Sequence, residues 1–499
     1  MQLVNLHIFL VKLMGVYMGT KTNKDEIKSP FVYLLNSING KYFYDVNRNE
    51  IVSITESTFN YLKKIQHGKV EEPTADVQKE IAYLRESGYL SEHKVREIRH
   101  PATDFLQEYL DRKVVKMTLQ VTQSCNLRCS YCIYSDLNNE KQRTHTRKRM
   151  SLETAKEAVD FLLYHSGDCD EISISFYGGE PLLEIDLIRE VITYAKRKFE
   201  GKRLMFSLTS NCTLLTQDIL DFFVKEDIRL MVSIDGPERI HDNCRRFAAD
   251  GSGTFRTVIK NINMIKDKYP NYLKRISVSM VINPQNQFSC INSLFIDYDV
   301  FEKMSVHSAI IDDVYSLEKV SYSDDYIQKI NYQFFLAYLA QYKGIDMQGI
   351  TPIAYEELER VNKIENSLES SNLLSDVTAP AGPCIPGQLR LFIDVDGNFF
   401  PCERVNENSS IMKIGDLTNG FDIRNAEQLL NVGRITSEEC KNCWAFWHCT
   451  LCAKYADDSG KFNKEFKLSH CDQIRNSLKN SLLDIIMKRE IAKLYMRRT

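Results

Sequence analysis

The chain has almost no net charge: 64 Lys and Arg stand against 67 Asp and Glu, a formal balance of −3. So small an imbalance gives no global attraction to a polyanion, and no nucleic-acid partner is expected. Long apolar runs are missing as well. The stretch from Leu3 to Met14 is apolar, but it is too short and too interrupted to span a bilayer. It also lacks the basic flank and small-residue cleavage site of an export signal. No membrane partner and a cytoplasmic location are therefore expected. Met18-Gly19-Thr20-Lys21 makes a more ordinary start, so residues 1–24 read as an N-terminal extension. Repeats and low-complexity tracts are absent, which leaves a globular chain of about two to four domains.

What the chain does have is cysteine, 14 in all. Without an export signal they favour metal ligation in a reducing compartment over disulfides. Cys169, Cys212, Cys244 and Cys290 are scattered singly and read as small buried apolar side chains. The other ten fall into motifs.

Cys125-x3-Cys129-x2-Cys132 puts three thiols on one loop. A cubane iron-sulfur cluster wants a soft thiolate on each of its irons, so three ligands leave one corner open to a substrate molecule. A structural zinc site is the competing assignment, but it closes with four ligands and usually starts as C-x2-C. The strand-like run Val114 to Thr122 leads into the loop, and the aromatic Tyr131 precedes the last cysteine. On these residues the chain resembles radical S-adenosylmethionine (SAM) enzymes.

Residues 114 to about 312 alternate strand and helix, with strands beginning near Val114, Glu171, Leu204, Arg229, Arg275 and Ser305. Helices are expected over Ser151–Ser166, Thr216–Asp227 and Phe255–Lys268. Such alternation predicts a parallel sheet with helices outside and chemistry at the C-terminal strand ends. The expected fold is α/β: a partial (β/α)6 radical SAM barrel over 113–320, with an open side through which a peptide can enter.

After the second barrel strand comes Phe176-Tyr177-Gly178-Gly179-Glu180-Pro181. Two glycines permit close backbone approach, and a carboxylate beside them can accept bonds from an ammonium group. The resemblance implies that Gly178, Gly179 and Glu180 bind the methionyl amino group of SAM. It also implies that Tyr131 and the polar groups Ser207, Thr209, Asn211, Ser233 and Asp235 line the SAM pocket, with Arg245 as a carboxylate partner. The family often has glycine after the position of Asn211, where this chain has Cys212.

Residues 25–100 read as three strands and two helices. Phe31–Ile38 and Lys41–Val46 flank Asn39-Gly40, which predicts a hairpin with a type I′ turn. Ile51–Ile54 supplies a third strand. Hydroxyl residues at Thr55 and Thr74 open the helices, the second of which places Val77, Ile81 and Leu84 on one face before Gly88. This order resembles the winged-helix-like domain with which peptide-modifying enzymes hold a precursor's leader by adding it to a sheet edge. A plain structural cap has the same pattern.

A helical connector is expected over 321–383, a cysteine-rich domain over 384–475 and a closing helix over 476–499. Cys384-x12-Gly397-x4-Cys402, Cys440-x2-Cys443-x5-Cys449-x2-Cys452 and Cys471 resemble the auxiliary-cluster domain called SPASM. Two zinc sites could use the same ligands. In the family the thiols interleave, which implies a 4Fe-4S cluster on Cys440, Cys443, Cys449 and Cys471 and another on Cys384, Cys402 and Cys452. With the SAM-binding cluster, the cofactors are then SAM and three 4Fe-4S clusters.

Seven thiols are one too few for two closed clusters. An iron with an open site is a Lewis acid that can bind and deprotonate a substrate thiol. Glu403 occupies the place where sulfatase maturases have an aspartate base, and it is the candidate catalytic residue; it also reads as a surface carboxylate. The basic run Lys141 to Arg149 reads as a solvated loop. The resemblance implies a maturase that joins a cysteine sulfur to a carbon of another residue in a cysteine-rich ribosomal peptide. Its partners would be a precursor peptide with leader and an electron donor such as flavodoxin or ferredoxin. Formylglycine formation on a sulfatase or another peptide crosslink or epimerisation is the alternative within that class, and a non-catalytic metal-bearing peptide-binding scaffold the alternative outside it.

Overall fold

The computed structural model describes residues 29–69, 72–135, 142–314, 319–341, 350–368 and 374–496. The N-terminal extension over 1–24 and Lys141 lie outside the described residues. No helix among the described residues is long and apolar enough to cross a membrane.

The first strands are β1 (Val32–Asn36), β2 (Lys41–Asp45) and β3 (Glu50–Ile54), an antiparallel meander followed by helices Glu56–Gln66 and Ala75–Glu86. The hairpin is there, but its turn is not type I′. Asn36 pairs with Lys41, so the loop holds four residues, and neither Asn39 nor Gly40 takes a positive φ. The Ser37 hydroxyl receives the Asn39 and Gly40 backbone N–H groups and closes the loop by another route. Thr55 caps its helix by accepting from the Thr58 N–H, while Thr74 makes no side-chain cap.

After β4 (Glu97–Ile98) come β5 (Lys116–Thr122), β6 (Glu171–Gly178), β7 (Arg203–Ser210), β8 (Arg229–Ser233), β9 (Ile276–Ile282) and β10 (Ser305–Ile310). From β5 to β10 they pair in sequence order and all in parallel, the partial six-stranded barrel. Helices Leu152–His165, Ile185–Lys198, Gln217–Lys225 and Phe255–Lys268 cover its outside, burying Val159, Ile188, Phe223 and Ile262. Apolar residues recur on one face of each helix at the 3.6-residue period.

The inward residues are smaller than those of a closed α/β barrel, whose lumen bulky branched side chains fill. Here Thr118, Ser175, Ser207, Thr209 and Ser277 line a hollow of about 560 Å³.

Helices Asp324–Leu339 and Pro352–Ser367 follow the barrel. Then come β11 (Val377–Thr378), β12 (Leu391–Ile393), β13 (Asn398–Phe400), β14 (Gly415–Asp416) and β15 (Gly420–Phe421). β12 pairs in parallel with β5, so barrel and cysteine-rich segment share one ten-stranded sheet in the order β10-β9-β8-β7-β6-β5-β12-β13-β14-β15. The last helix, Cys471–Met496, begins on a cysteine.

The N-terminal module is docked, not free. Tyr33 stacks on Trp444 at 3.8 Å between ring centroids, the Trp447 indole donates to the Val46 carbonyl at 2.7 Å, and β4 pairs with β11. Phe31, Tyr44 and Val46 share a buried cluster with Phe446, Leu482 and Ile485.

Candidate functional site

The first thiol loop leaves the C-terminal end of β5, and the end of β6 lies against it. Gly179 N–H donates to the Thr122 carbonyl at 3.0 Å and Glu180 N–H to the Ser124 carbonyl at 2.9 Å. A Cβ on Gly178 would sit 2.2 Å from the Thr122 oxygen, and one on Gly179 would sit 2.1 Å from the Ser124 oxygen. Both glycines are thus required by chain-to-chain contact alone.

Glu180 is buried, and protein donors engage both its oxygens. Oε1 accepts from Leu182 N–H at 3.0 Å and the Ser210 hydroxyl at 2.7 Å, and Oε2 from Asn211 N–H at 2.7 Å. Burial raises its pKa against the pull of these donors. The carboxylate therefore ties the ends of β6 and β7 together.

Asn211 bonds Asn126 on the thiol loop at 2.9 Å, and its amide lies 4.0 Å from Cys125 Sγ. The next residue, Cys212, is buried with φ at 61°, the left-handed region that glycine favours. The backbone here keeps a glycine geometry under a cysteine side chain.

Asp235 is the centre of a second buried knot. Its Oδ2 accepts from Tyr131 at 2.5 Å and Arg245 Nε at 2.8 Å, and its Oδ1 from Val281 N–H at 3.1 Å. Arg245 Nη1 reaches to 4.0 Å from Cys129 Sγ. His241 Nδ1 accepts from Asp235 N–H, so the proton is on Nε2, facing the Thr254 hydroxyl at 2.9 Å. Burial holds the His241 pKa down to about 4, helped by Arg245. Tyr131, Asp235 and Arg245 thus meet beside the first thiol loop, joined to one another, while Ser233 is half-buried at the end of β8. Ser207 and Thr209 lie deeper, in the lumen, where Ser207 bonds Ser175 at 2.7 Å.

The ten motif cysteines fall into three groups by which thiols feel which. Burial pushes Cys125 up to about 12, with Cys129 and Cys132 adding to it. Burial pushes Cys402 up to about 12 as well, with Glu403, Cys452 and Cys384 adding to it. Cys449 is pushed up to about 11 by burial and by Cys440 and Cys443, and Cys471 rises through burial with the same two thiols contributing. The groups are Cys125, Cys129 and Cys132; Cys384, Cys402 and Cys452; and Cys440, Cys443, Cys449 and Cys471.

Buried neighbouring thiols resist ionising, and a cationic metal centre is what reverses that cost. Among the described residues no three His, Cys, Asp or Glu side chains close around the position of a single ion. N–H groups already turn toward sulfur, as Leu127 N–H does to Cys125 Sγ at 3.4 Å.

Glu403 is half-buried beside Cys402, with Oε1 at 3.4 Å from Arg390 Nη1 and 3.6 Å from Arg404 Nε. It lines the lumen with Tyr177. Burial raises the Tyr177 pKa first, and both Glu403 and Cys132 add to it.

Two features were not visible in the linear sequence. The basic run read as a solvated loop is in part buried: Arg143 Nε donates to Glu407 Oε2 at 2.6 Å, with the side chains 8% and 4% exposed. Gln120 donates to both Glu407 oxygens, and Gln142 to the Val405 carbonyl. Arg143 thereby fastens the segment after the first thiol loop to the segment carrying Cys402. A run of charges gives no local sign of which member turns inward. The second feature is Lys467, buried, with Nζ at 2.7 Å from the Thr436 hydroxyl and 3.8 Å from Cys440 Sγ. Cys244, one of the scattered cysteines, stands close enough to Cys129 to raise it.

Residues 119–289 match the radical SAM superfamily, and the chain carries a radical SAM domain at the site just described. It is a radical SAM enzyme, of the class that uses SAM with a 4Fe-4S cluster. Among its relatives is the radical SAM cyclopropyl synthase TigE of Paramaledivibacter caminithermalis, 24% identical over 429 residues, spanning 84% of this chain and 80% of the relative. A cysteine-type anaerobic sulfatase-maturating enzyme of Clostridium perfringens is 24% identical over 362 residues, 70% of this chain and 90% of the relative. The solved structure of native anSMEcpe with bound AdoMet and Cp18Cys peptide superposes with a TM-score of 0.52 at 19% identity, covering 74% of this chain and 99% of that one. That likeness speaks to the fold.

Proposed function

We propose that this enzyme installs thioether crosslinks, from a cysteine sulfur to a carbon of another residue, in a ribosomally made cysteine-rich peptide. The observation that carries the reading is the uneven division of the C-terminal thiols, the group of three lying beside Glu403 and the lumen. Cys125, Cys129 and Cys132 would hold the SAM-binding cluster, and the two C-terminal groups would hold two auxiliary 4Fe-4S clusters. The ends of β6, β7 and β8, with Gly178, Gly179, Glu180, Ser207, Thr209, Asn211, Ser233 and Asp235, would hold SAM together with Tyr131 and Arg245. When bound, these groups supply a hydrogen-abstracting 5′-deoxyadenosyl radical, an electron sink and a Lewis-acidic iron.

The chain's own residues position and exclude. Glu403 would take the proton of the substrate thiol, its carboxylate held in place by Arg390 and Arg404. The Arg143–Glu407 pair and the shared sheet fix the two halves of the site against each other. In the sum, a hydrogen atom leaves carbon, a proton leaves sulfur, a C–S bond forms and one electron passes to iron-sulfur chemistry. A flavodoxin or ferredoxin in a reducing cytoplasm is the electron source this needs. The module of β1 to β3 and its helices would bind a leader along the edge of β3, one of the two outer strands of that sheet.

A second reading, closure of a carbon–carbon ring, is favoured by the 84% of this chain that aligns with the cyclopropyl synthase. Anaerobic reaction with a cysteine-rich peptide encoded beside the gene separates the two by mass spectrometry. Thioether formation removes two hydrogens per bridge and one alkylatable thiol; ring closure removes two hydrogens and leaves every thiol. Full alkylation of the product contradicts the proposal.

A further inference from the structure

The lumen carries a charge the radical chemistry does not call for. Lys116, Arg229, Lys274 and Arg275 ring its lower rim, at or just before the first residues of β5, β8 and β9, and Arg390 and Arg404 form one wall. Against these six cations the lining offers one carboxylate, Glu403, already shared by Arg390 and Arg404. Arg275 pairs outward with Asp227 at 2.7 Å. Among the described residues, the side chains of Lys116, Arg229 and Lys274 have neither ion pair nor hydrogen bond. Lys116 is half-buried, and burial with Arg390 nearby lowers its pKa. Lys116, partly withdrawn from water and without an ion pair, raises the energy of the empty cavity; Arg229 and Lys274 are exposed and add a positive field at the rim, and an entering anion meets both.

We infer that the barrel lumen is a binding site for an acidic stretch of the substrate peptide, Asp or Glu side chains lying along the lower rim while the reacting residues reach upward past Tyr177. This rests on the peptide reading above. Two features favour a peptide over a free small anion. The cavity, about 560 Å³, is larger than a phosphate, and the hydroxyls of Thr118, Ser175 and Ser277 on its wall suit backbone and side-chain amides. Glu403 on the wall would repel a compact dianion placed near it but tolerates carboxylates spaced along an extended chain.

The test uses the anaerobically reconstituted full-length enzyme and a short Asp-Ser repeat peptide, its Asn-Ser counterpart and inorganic phosphate, with binding followed by calorimetry at low salt. The Asp peptide is expected to bind about tenfold tighter than the Asn peptide and to weaken as salt rises. In Lys116→Gln/Arg229→Gln, with iron content and circular dichroism unchanged, the two peptides should bind alike. Equal binding of both peptides to the parent enzyme overturns the inference. So does an unchanged preference in the double variant, or phosphate binding as tightly as the Asp peptide. A milder Arg229→Lys variant that keeps the preference guards against loss through misfolding. Because these peptides contain no cysteine, their binding is read apart from crosslinking, so bridge formation can fail while the acidic site stands, and the reverse.

Discussion

Lys467 is buried beside one group of C-terminal thiols, while Glu403 stands half-buried beside the other. The group of four encloses Cys440 at 9% exposure and backs onto the N-terminal module through Trp444 and Trp447. The group of three includes the exposed Cys384 and adjoins the lumen. Cys443, Cys449 and Cys471 are half-buried, as are Cys402 and Cys452, so the groups differ at Cys440 and Cys384 and in charge: a cation donating to sulfur suits a cluster of raised potential, and a flanking carboxylate suits a site that meets substrate. Under the proposed function, the difference assigns electron handling to one group and substrate handling to the other.

The largest effect that breaks this comparison is Cys402→Ser. It should abolish crosslinking and remove about four irons, while SAM cleavage without peptide persists; mass spectrometry and iron assay read the two. Retained crosslinking would move substrate chemistry away from this group. Next, Arg143→Met leaves Glu407 buried without its cation and should cost about 3–5 kcal/mol, read by thermal denaturation. The exposed pair Arg112–Asp168, mutated the same way, should leave the melting temperature nearly unchanged.

Glu403→Gln should slow bridge formation roughly a hundredfold with little change in peptide affinity, seen as a fall in kcat at constant KM. Lys467→Met should lower the midpoint potential of one cluster by about 60 mV, the equivalent of about 1.4 kcal/mol for one electron, in an EPR-monitored redox titration. An unmoved potential would remove the contrast in charge between the two groups. Smallest is Cys212→Gly, where relief of the left-handed backbone and loss of a buried side chain should nearly cancel, within about 1 kcal/mol.

How much of this was legible follows from the range of each signal. The barrel strands stood out because their apolar runs alternate with helices of clear period, and the strands at Glu171, Arg229 and Ser305 begin where the pattern puts them. The thiol motifs were legible because their spacing is local. The turn at Asn39-Gly40 was misread because Ser37, two residues earlier, closes the loop from its side chain. Arg143, Lys467 and the Tyr33–Trp444 stack were invisible because each depends on a partner far along the chain, and a charge or aromatic ring carries no local mark of burial. Glu180 was recognisable by motif, but its three protein donors were not, since two come from the end of β7 and the loop after it.

The central claim is that the Cys384, Cys402 and Cys452 group leaves an iron able to take a substrate thiol. Mössbauer spectroscopy of the enzyme loaded with enriched iron, before and after adding the cysteine-rich peptide, tests it most directly. The account predicts that one iron site changes with that peptide and not with its Cys-to-Ser counterpart, and that the change is lost in Cys402→Ser. An unchanged spectrum, or the same change with the serine peptide, would contradict it.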